Sequence, residues 1–317
     1  MSPTLPLWMR ASIGAFVAVL MAQGCVIGSE KYPRPRDLNP TSLVDRTRVL
    51  SVVAEPPEMR PGERATFRAL VATPGADTPE DGGLTKLWLA CPVDDAGNGF
   101  GCVVDFDNLD IEELGPAELA ELGFIGFEPG LPPAYTAPDD LLDGLEEEER
   151  LEGRYVNVQV TALPDELLET TGTGAAPALD FNEVEVAYKR LVVSEALTPN
   201  QNPSIRTFTV DRVEVGAETL VEVDAEQSYE LGVLLPDGAR EAYVFVNSDG
   251  EEEQRVEEPY VAWYATAGDM TEEVTLYPYL EATWVAPAES GETGTWYAVL
   301  RDRRGGQAFW VQRYIVR

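Results

Sequence analysis

Apolar and polar residues alternate strictly over several short stretches of the chain. In the clearest stretch, Val156, Val158 and Val160 are separated by single polar residues. Residues 64–71 and 183–188 show the same two-residue period. A period of two with one apolar face is typical of a half-buried strand in an antiparallel sheet. The pattern therefore predicts β-structure from about residue 48 onward.

The C-terminal part of the chain repeats this pattern more densely. Turn-forming residues separate many short apolar segments there, and no helical period lies between them. Short strands with turns at regular spacing predict a sandwich of two antiparallel sheets. The predicted strands lie near residues 205–210, 219–224, 227–234, 241–246, 259–265, 273–277, 281–286, 295–301 and 307–316.

A polar segment with two prolines separates the two halves. It reads Thr-Pro-Asn-Gln-Asn-Pro at residues 198–203 and has no large apolar side chain, which is typical of a domain boundary. We therefore predict one sandwich domain over residues 46–196, a linker over 197–203 and a second sandwich domain over 204–317. In the first domain, residues 110–123 and 138–153 favour helix by propensity, which predicts short helical insertions.

The first 24 residues have the organisation of a secretory signal peptide. Arg10 precedes an apolar stretch over residues 11–22, and twelve apolar residues suit a signal peptide better than a membrane span. The alternative is a membrane helix beginning near Leu5, but Pro6 and Arg10 interrupt it. Residues 26–45 are polar, aperiodic and contain prolines, so we predict a polar tether over residues 25–45.

The segment Met-Ala-Gln-Gly-Cys that ends at Cys25 resembles the lipobox of bacterial lipoproteins. In that family the cysteine at this position carries a thioether-linked diacylglycerol and becomes the mature N-terminus. The resemblance therefore implies that Cys25 is a lipidation site. Val26 follows the cysteine instead of Asp, and by the family's sorting pattern this implies the outer membrane of a Gram-negative bacterium.

The chain is strongly acidic, with 23 Lys and Arg against 56 Asp and Glu and a formal net charge of −33. This balance argues against nucleic acid as a partner, because no basic surface can displace the phosphate counterions. Removal of residues 1–24, which contain one arginine, leaves a net charge of −34. Such a protein gains nothing from an anionic membrane surface, so we expect attachment through acyl chains on Cys25.

The two halves share a short pattern. Tyr-Thr-Ala-Pro at residues 135–138 and Trp-Val-Ala-Pro at residues 284–287 each precede two predicted strands, which is consistent with a duplicated domain. With the segment 49–57, the Arg-Pro-Gly at 60–62 and the closing strands, the chain resembles bacterial cell-surface lipoproteins that carry tandem immunoglobulin-like domains. The resemblance implies two tandem Ig-like antiparallel β-sandwich domains at the cell surface, and it implies no activity.

Cys91 and Cys102 form an even pair once Cys25 is lipidated. Seven of the ten residues between them are Pro, Asp, Asn or Gly, which are common in turns. In an oxidising compartment this predicts a local disulfide. The alternative, a reactive dithiol or a metal pair, lacks the CxxC spacing.

An acidic stretch behind Cys102 contains candidate calcium ligands. Its carboxylates are Asp105, Asp107, Asp110 and Glu112. They lack the glycine and the spacing of an EF-hand loop, so a solvated acidic loop is the alternative. We expect no cofactor.

The composition favours a binding or structural protein over an enzyme. The chain has no histidine, which excludes catalytic mechanisms that need an imidazole. We therefore expect a noncatalytic, membrane-anchored envelope lipoprotein whose domains bind a partner or act as a spacer. The partner would be an envelope protein or a glycan. The alternative is a carboxylate-dependent hydrolase on a β-sandwich, which needs only Asp and Glu.

Overall fold

The computed structural model describes residues 40–75, 83–92, 116–165, 184–246 and 252–317. In these ranges the chain forms β-strands and two short helices, which confirms the all-β prediction. The first half contains β1 (Arg48–Glu55), β2 (Glu58–Met59), β3 (Arg64–Ala72), β4 (Leu84–Pro92), α1 (Pro116–Glu121), β5 (Phe124–Glu128), β6 (Ala134–Thr136), α2 (Glu147–Glu152), β7 (Arg154–Pro164) and β8 (Glu185–Val193). The second half contains β9 (Thr207–Val210), β10 (Val213–Val215), β11 (Val221–Val223), β12 (Ser228–Leu234), β13 (Ala242–Val246), β14 (Glu252–Val256), β15 (Tyr260–Ala265), β16 (Asp269–Met270), β17 (Val274–Leu276), β18 (Glu281–Val285), β19 (Thr293–Arg301) and β20 (Gln307–Val316).

Two sheets enclose the core of the first half. One has the strand order β1-β3-β6, and the other has the order β2-β8-β7-β4-β5. The alternating valines of β7, Val156, Val158 and Val160, are fully buried in one apolar cluster with Phe67 of β3 and Trp88 of β4. The two-residue period that predicted this strand therefore marks the face of β7 that enters the core.

The second half is also a sandwich, and its core is aromatic. Its sheets have the orders β10-β9-β12-β18-β16 and β11-β20-β19-β15-β17. Trp284 of β18 meets Trp296 of β19 edge to face at 4.8 Å between ring centroids, and Tyr314 of β20 stacks on Trp296 at 4.5 Å. All three rings are fully buried. Such aromatic pairs add stabilisation beyond the area that they bury.

The two sandwiches share one strand order. The sequence β1-β3-β6 corresponds to β9-β12-β18, and β2-β8-β7-β4-β5 corresponds to β11-β20-β19-β15-β17. This is the A-B-E and G-F-C arrangement of immunoglobulin-like sandwiches. The C strand is β4 in the first sandwich and β15 in the second, and each carries a fully buried tryptophan. The Trp88 indole donates to Glu128 of β5 at 2.9 Å, and the Trp263 indole donates to Thr275 of β17 at 2.8 Å.

Each sandwich departs from a purely antiparallel arrangement at one strand pair. The short strand β2 pairs parallel with β8, and β11 pairs parallel with β20. In the first sandwich this occurs because the chain leaves one sheet after β1 and joins the facing sheet at β2. All other pairs between these named strands are antiparallel, as predicted.

The helical insertions of the first sandwich are present but shorter than their propensity suggests. Within 110–123 the described helix is α1, and within 138–153 it is α2, each of six residues. Isolated helices of this length are marginal in water. A capping box at Glu146 and Glu149 stabilises the N-terminus of α2.

An apolar cluster joins the outer faces of the two sandwiches. Leu50 of β1 and Leu70 of β3 belong to one buried cluster with Tyr297 and Val299 of β19. All four side chains are at least 96% buried. The two domains therefore share an interface in addition to their separate cores.

Residues 40–45, which fall within the predicted tether, are packed against the second sandwich. The Val44 amide donates to the Ala265 carbonyl at 2.8 Å, and the Ala265 amide donates to the Ser42 carbonyl at 2.9 Å. Val44 is fully buried in the cluster between the sandwiches. The predicted tether is therefore too long at its C-terminal end. The reason is that Leu43 and Val44 form too short an apolar pair to show a period.

Candidate functional site

Arg304 connects the two sandwiches through three carboxylates. It lies in the turn between β19 and β20, and its guanidinium is 3.0 Å from Glu257, 3.3 Å from Glu241 and 4.0 Å from Glu58 of the first sandwich. The ring of Tyr243 lies 4.5 Å from the guanidinium carbon. The Arg304 side chain is 19% exposed and that of Glu257 only 2%. Buried charges of this kind need their partners, because each has lost its hydration.

The predicted linker is fixed at the same junction. The Asn200 amide donates to Glu58 at 2.7 Å, and its side chain donates to Asp302 at 2.9 Å. The Asn202 side chain accepts from the Gln307 amide at 2.9 Å and donates to the first sandwich at the Ala54 carbonyl. Hydrogen bonds to both sandwiches therefore hold the segment between the two domains.

A buried lysine completes the junction. Lys189 of β8 is 4% exposed and donates to the Gly305 carbonyl in the β19–β20 turn. The pKa of Lys189 is lowered from 10.5 to about 8, mainly by burial and also by the neighbouring Arg301, while Asp302 opposes the shift. The lysine is therefore desolvated and less basic than usual.

Glu257 is desolvated in the same way. Burial raises the pKa of Glu257, and the nearby Asp302 adds to the increase. The backbone amide of Glu241 and the guanidinium of Arg304 oppose it by hydrogen bonding to the carboxylate. Each buried carboxylate of this cluster is engaged by a donor, so the geometry supports a role in joining the domains.

The sequence contains no motif for this junction. Its charged members lie at positions 58, 189, 241, 257, 302 and 304, which the fold alone brings together. Lys189 is one of only three lysines, but nothing in its local sequence distinguishes it from an exposed strand residue. The sequence predicts a linker that contains Asn200 and Asn202 and a strand that begins at Glu241, but it indicates no contact among the junction residues.

Most residues predicted to carry chemistry lie outside the described part of the chain. These are Cys25, Cys102, Asp105, Asp107, Asp110 and Glu112. Cys91 is described, and it lies in β4 opposite Asn157 of β7. Lipidation of Cys25, the Cys91–Cys102 disulfide and calcium binding therefore stay predictions.

The described parts of the sandwiches include surface depressions. One of about 530 Å³ lies beside α2, and the Arg150–Glu195 ion pair at 3.6 Å forms part of its wall. Another, of about 380 Å³, lies on the second sandwich beside β17. In the described ranges, no three Cys, Asp or Glu side chains are arranged to hold a metal ion. No helix in these ranges is long and apolar enough to cross a membrane.

Comparisons with solved structures give only distant similarity. Dimeric latent PorU from Porphyromonas gingivalis is 9% identical, with a TM-score of 0.20, over 89% of this chain and 25% of that one. Murine CEACAM1b is 13% identical, with a TM-score of 0.20, over 83% of this chain and 96% of that one. SGBP-B from Bacteroides ovatus, solved with a mixed-linkage heptasaccharide, is 9% identical, with a TM-score of 0.17, over 92% of this chain and 71% of that one.

The chain spans about a quarter of the length of the PorU chain. No protein-family model and no curated protein matches the sequence. TM-scores this low do not establish a common fold. The fold described above therefore rests on the strand order, pairing and core of this chain itself.

Proposed function

We propose that this protein is a noncatalytic lipoprotein of the cell envelope whose two Ig-like sandwiches act as one rigid binding or spacer module. The observation that carries the proposal is the junction between the sandwiches. Domains within a chain usually move relative to each other unless their interface is large and apolar or otherwise fixed. Here an apolar cluster, the Arg304 carboxylate cluster and the hydrogen-bonded linker act together.

The packed position of residues 40–45 supports a short attachment. If Cys25 carries the acyl chains, fourteen residues separate it from Pro40, and the extended chain between the two spans at most about 50 Å. The tether enters at the junction between the sandwiches, because Val44 is buried in the cluster that joins them. Both domains are thereby held close to the membrane, which suits a module that presents a fixed surface there.

Anchoring is tested by replacing the lipidated sulfur. In a Gram-negative host, we expect the full-length wild type in the outer-membrane fraction and Cys25→Ser in the soluble fraction, because serine offers no thiol for diacylglycerol transfer. Metabolic labelling with a radioactive fatty acid should mark the wild type but not Cys25→Ser. Ser29→Ala, four residues away, is the matched control and should stay lipidated and membrane-bound.

An uncleaved membrane helix gives the opposite result. Cys25→Ser would then remain in the membrane after high-salt and carbonate washing, and the wild type would incorporate no fatty acid. Either finding would overturn the proposed anchor.

A further inference from the structure

The strand β17 leaves one edge of the second sandwich unpaired in the described structure. It is the last strand of its sheet and pairs only with β15. Val274 and Leu276 each expose 52% of their surface, and Tyr279, which follows β17, exposes 77%. An exposed edge with apolar side chains can accept a further extended segment.

An acidic depression lies directly beside this edge. Its volume is about 380 Å³, and its walls include Glu230, Glu272, Glu281, Leu276 and Tyr279. Arg212 forms an exposed ion pair with Glu230 at 2.8 Å, and Glu272 accepts from the Thr283 amide. The Glu281 carboxylate makes no hydrogen bond and no ion pair within 4.0 Å with the described residues, but Arg212 is near enough to interact with it electrostatically. The depression therefore has more negative than positive charge and suits a cationic, partly apolar segment.

The described chain begins next to this depression. Residues 42–44 hydrogen-bond to Ala265 of β15. Earlier in β15, Trp263 donates to the Glu273 carbonyl and Val261 pairs with Thr275 of β17. Residues 42–44 and β17 therefore lie along the same side of β15. The Thr41 hydroxyl donates to Glu273 at 2.5 Å, and Glu273 adjoins Glu272 of the depression. The residues that precede Thr41 therefore start within a few ångströms of the acidic wall.

Those preceding residues contain a basic cluster, which Glu30 and Asp37 flank. Lys31, Arg34 and Arg36 lie within six positions, and Tyr32 and two prolines lie between them. Four residues separate Arg36 from Thr41, so an extended chain can place the two about 17 Å apart. Basic and apolar residues thus alternate in a segment that can reach the depression, and prolines are tolerated at the edge of a sheet.

We propose that the depression beside β17 binds residues 31–36 of the same chain. Arg34 and Arg36 pair with Glu272 and Glu281, and the apolar residues between them cover Leu276 and Tyr279. A second copy of the protein is the less suitable occupant, because each mature chain carries a net charge of −34 and repels another. The tethered segment also has the advantage of a high effective concentration at the depression.

Docking shortens the tether. Together with the proposed lipid anchor at Cys25, on which this consequence rests, it leaves only residues 26–30 as a free spacer, with a reach of roughly 17 Å. Release of the segment restores the full reach of about 50 Å. The same module can then stand at two distances from the membrane.

Limited proteolysis tests the docking itself, independently of lipidation. Trypsin cuts after Lys31 and Arg36, and we expect both cuts to be at least tenfold faster in the full-length variant Glu230→Gln, Glu272→Gln, Glu281→Gln than in the wild type. The matched control Glu218→Gln, Glu226→Gln, Glu289→Gln removes three exposed carboxylates elsewhere on the same sandwich and should be cut at the wild-type rate. Equal rates for all three proteins overturn the proposal.

A peptide supplies a second measurement. A fluorescent peptide of residues 28–38 should bind the full-length Lys31→Ser, Arg34→Ser, Arg36→Ser variant at least tenfold more tightly than the wild type, whose own segment occupies the depression. Equal affinity for the two proteins, or protection from trypsin that increases with protein concentration, overturns intramolecular docking. In either case the fractionation of Cys25→Ser is unaffected, so failure here is distinct from failure of the proposed anchor.

Discussion

Arg304→Met should destabilise the protein by about 3 kcal/mol, because it leaves buried carboxylates without their counter-charge. Glu257 is 2% exposed and Glu58 10%, so neither can recover full hydration when the guanidinium is removed. Methionine keeps much of the side-chain volume, so the loss reports mainly on charge. The effect falls on both sandwiches, since Arg304 belongs to the second and Glu58 to the first.

Calorimetry of the purified protein measures this effect. We expect the wild type to unfold in one transition and Arg304→Met to unfold at a midpoint roughly 6 °C lower. Arg212→Met is the matched control. It breaks an ion pair with Glu230 in which Arg212 is 85% exposed, and exposed pairs contribute little. An unchanged midpoint for Arg304→Met would show that the Arg304 carboxylate cluster does not stabilise the junction.

The same variant should respond to pH. Burial already raises the pKa of Glu257, and removal of Arg304 takes away a group that lowers it. A carboxyl group with a raised folded-state pKa destabilises the protein once the pH rises through that pKa. The loss caused by Arg304→Met should therefore be smaller at pH 5 than at pH 8.

The strands could be predicted from the sequence because their signal is local. Alternation in β7 reports on the face that enters the core, although its polar residues Asn157 and Gln159 are also buried. The strand predicted near 295–301 is β19, Thr293–Arg301. The aromatic-x-Ala-Pro pattern was also informative. It places Tyr135 on β6 and Trp284 on β18, which occupy corresponding positions in the two sandwiches.

The junction could not be predicted, because its signal is not local. The segment 198–203 is polar and contains two prolines, and such a composition usually indicates a flexible connection. Asn200 is nevertheless only 1% exposed. It donates hydrogen bonds to Glu58 and Asp302, which lie 142 and 102 residues away in the sequence. No pattern within the segment records these partners.

Lys189 should make the stability of the protein increase with pH above neutrality. Its pKa is about 8 in the folded protein and 10.5 when unperturbed. Between these values the unfolded chain binds the proton and the folded protein does not, so the free energy of unfolding rises with pH. We expect a gain of about 2 kcal/mol between pH 7.5 and 9.5, out of a total of about 3 kcal/mol for the full shift.

Urea unfolding at several pH values isolates this contribution. Lys189→Met removes the titrating group, so its free energy of unfolding should lack the gain seen in the wild type. Lys86→Met is the matched control: it removes another lysine of the first sandwich, one that pairs with Glu128 at 3.6 Å, and should keep the wild-type slope. Measurements should stop below pH 10, because burial raises the pKa of Tyr314 and Tyr297, and such tyrosines reduce stability once they ionise in the unfolded chain. If Lys189→Met keeps the wild-type slope, the ammonium is not desolvated at the junction, and the β19–β20 turn does not enclose it as described.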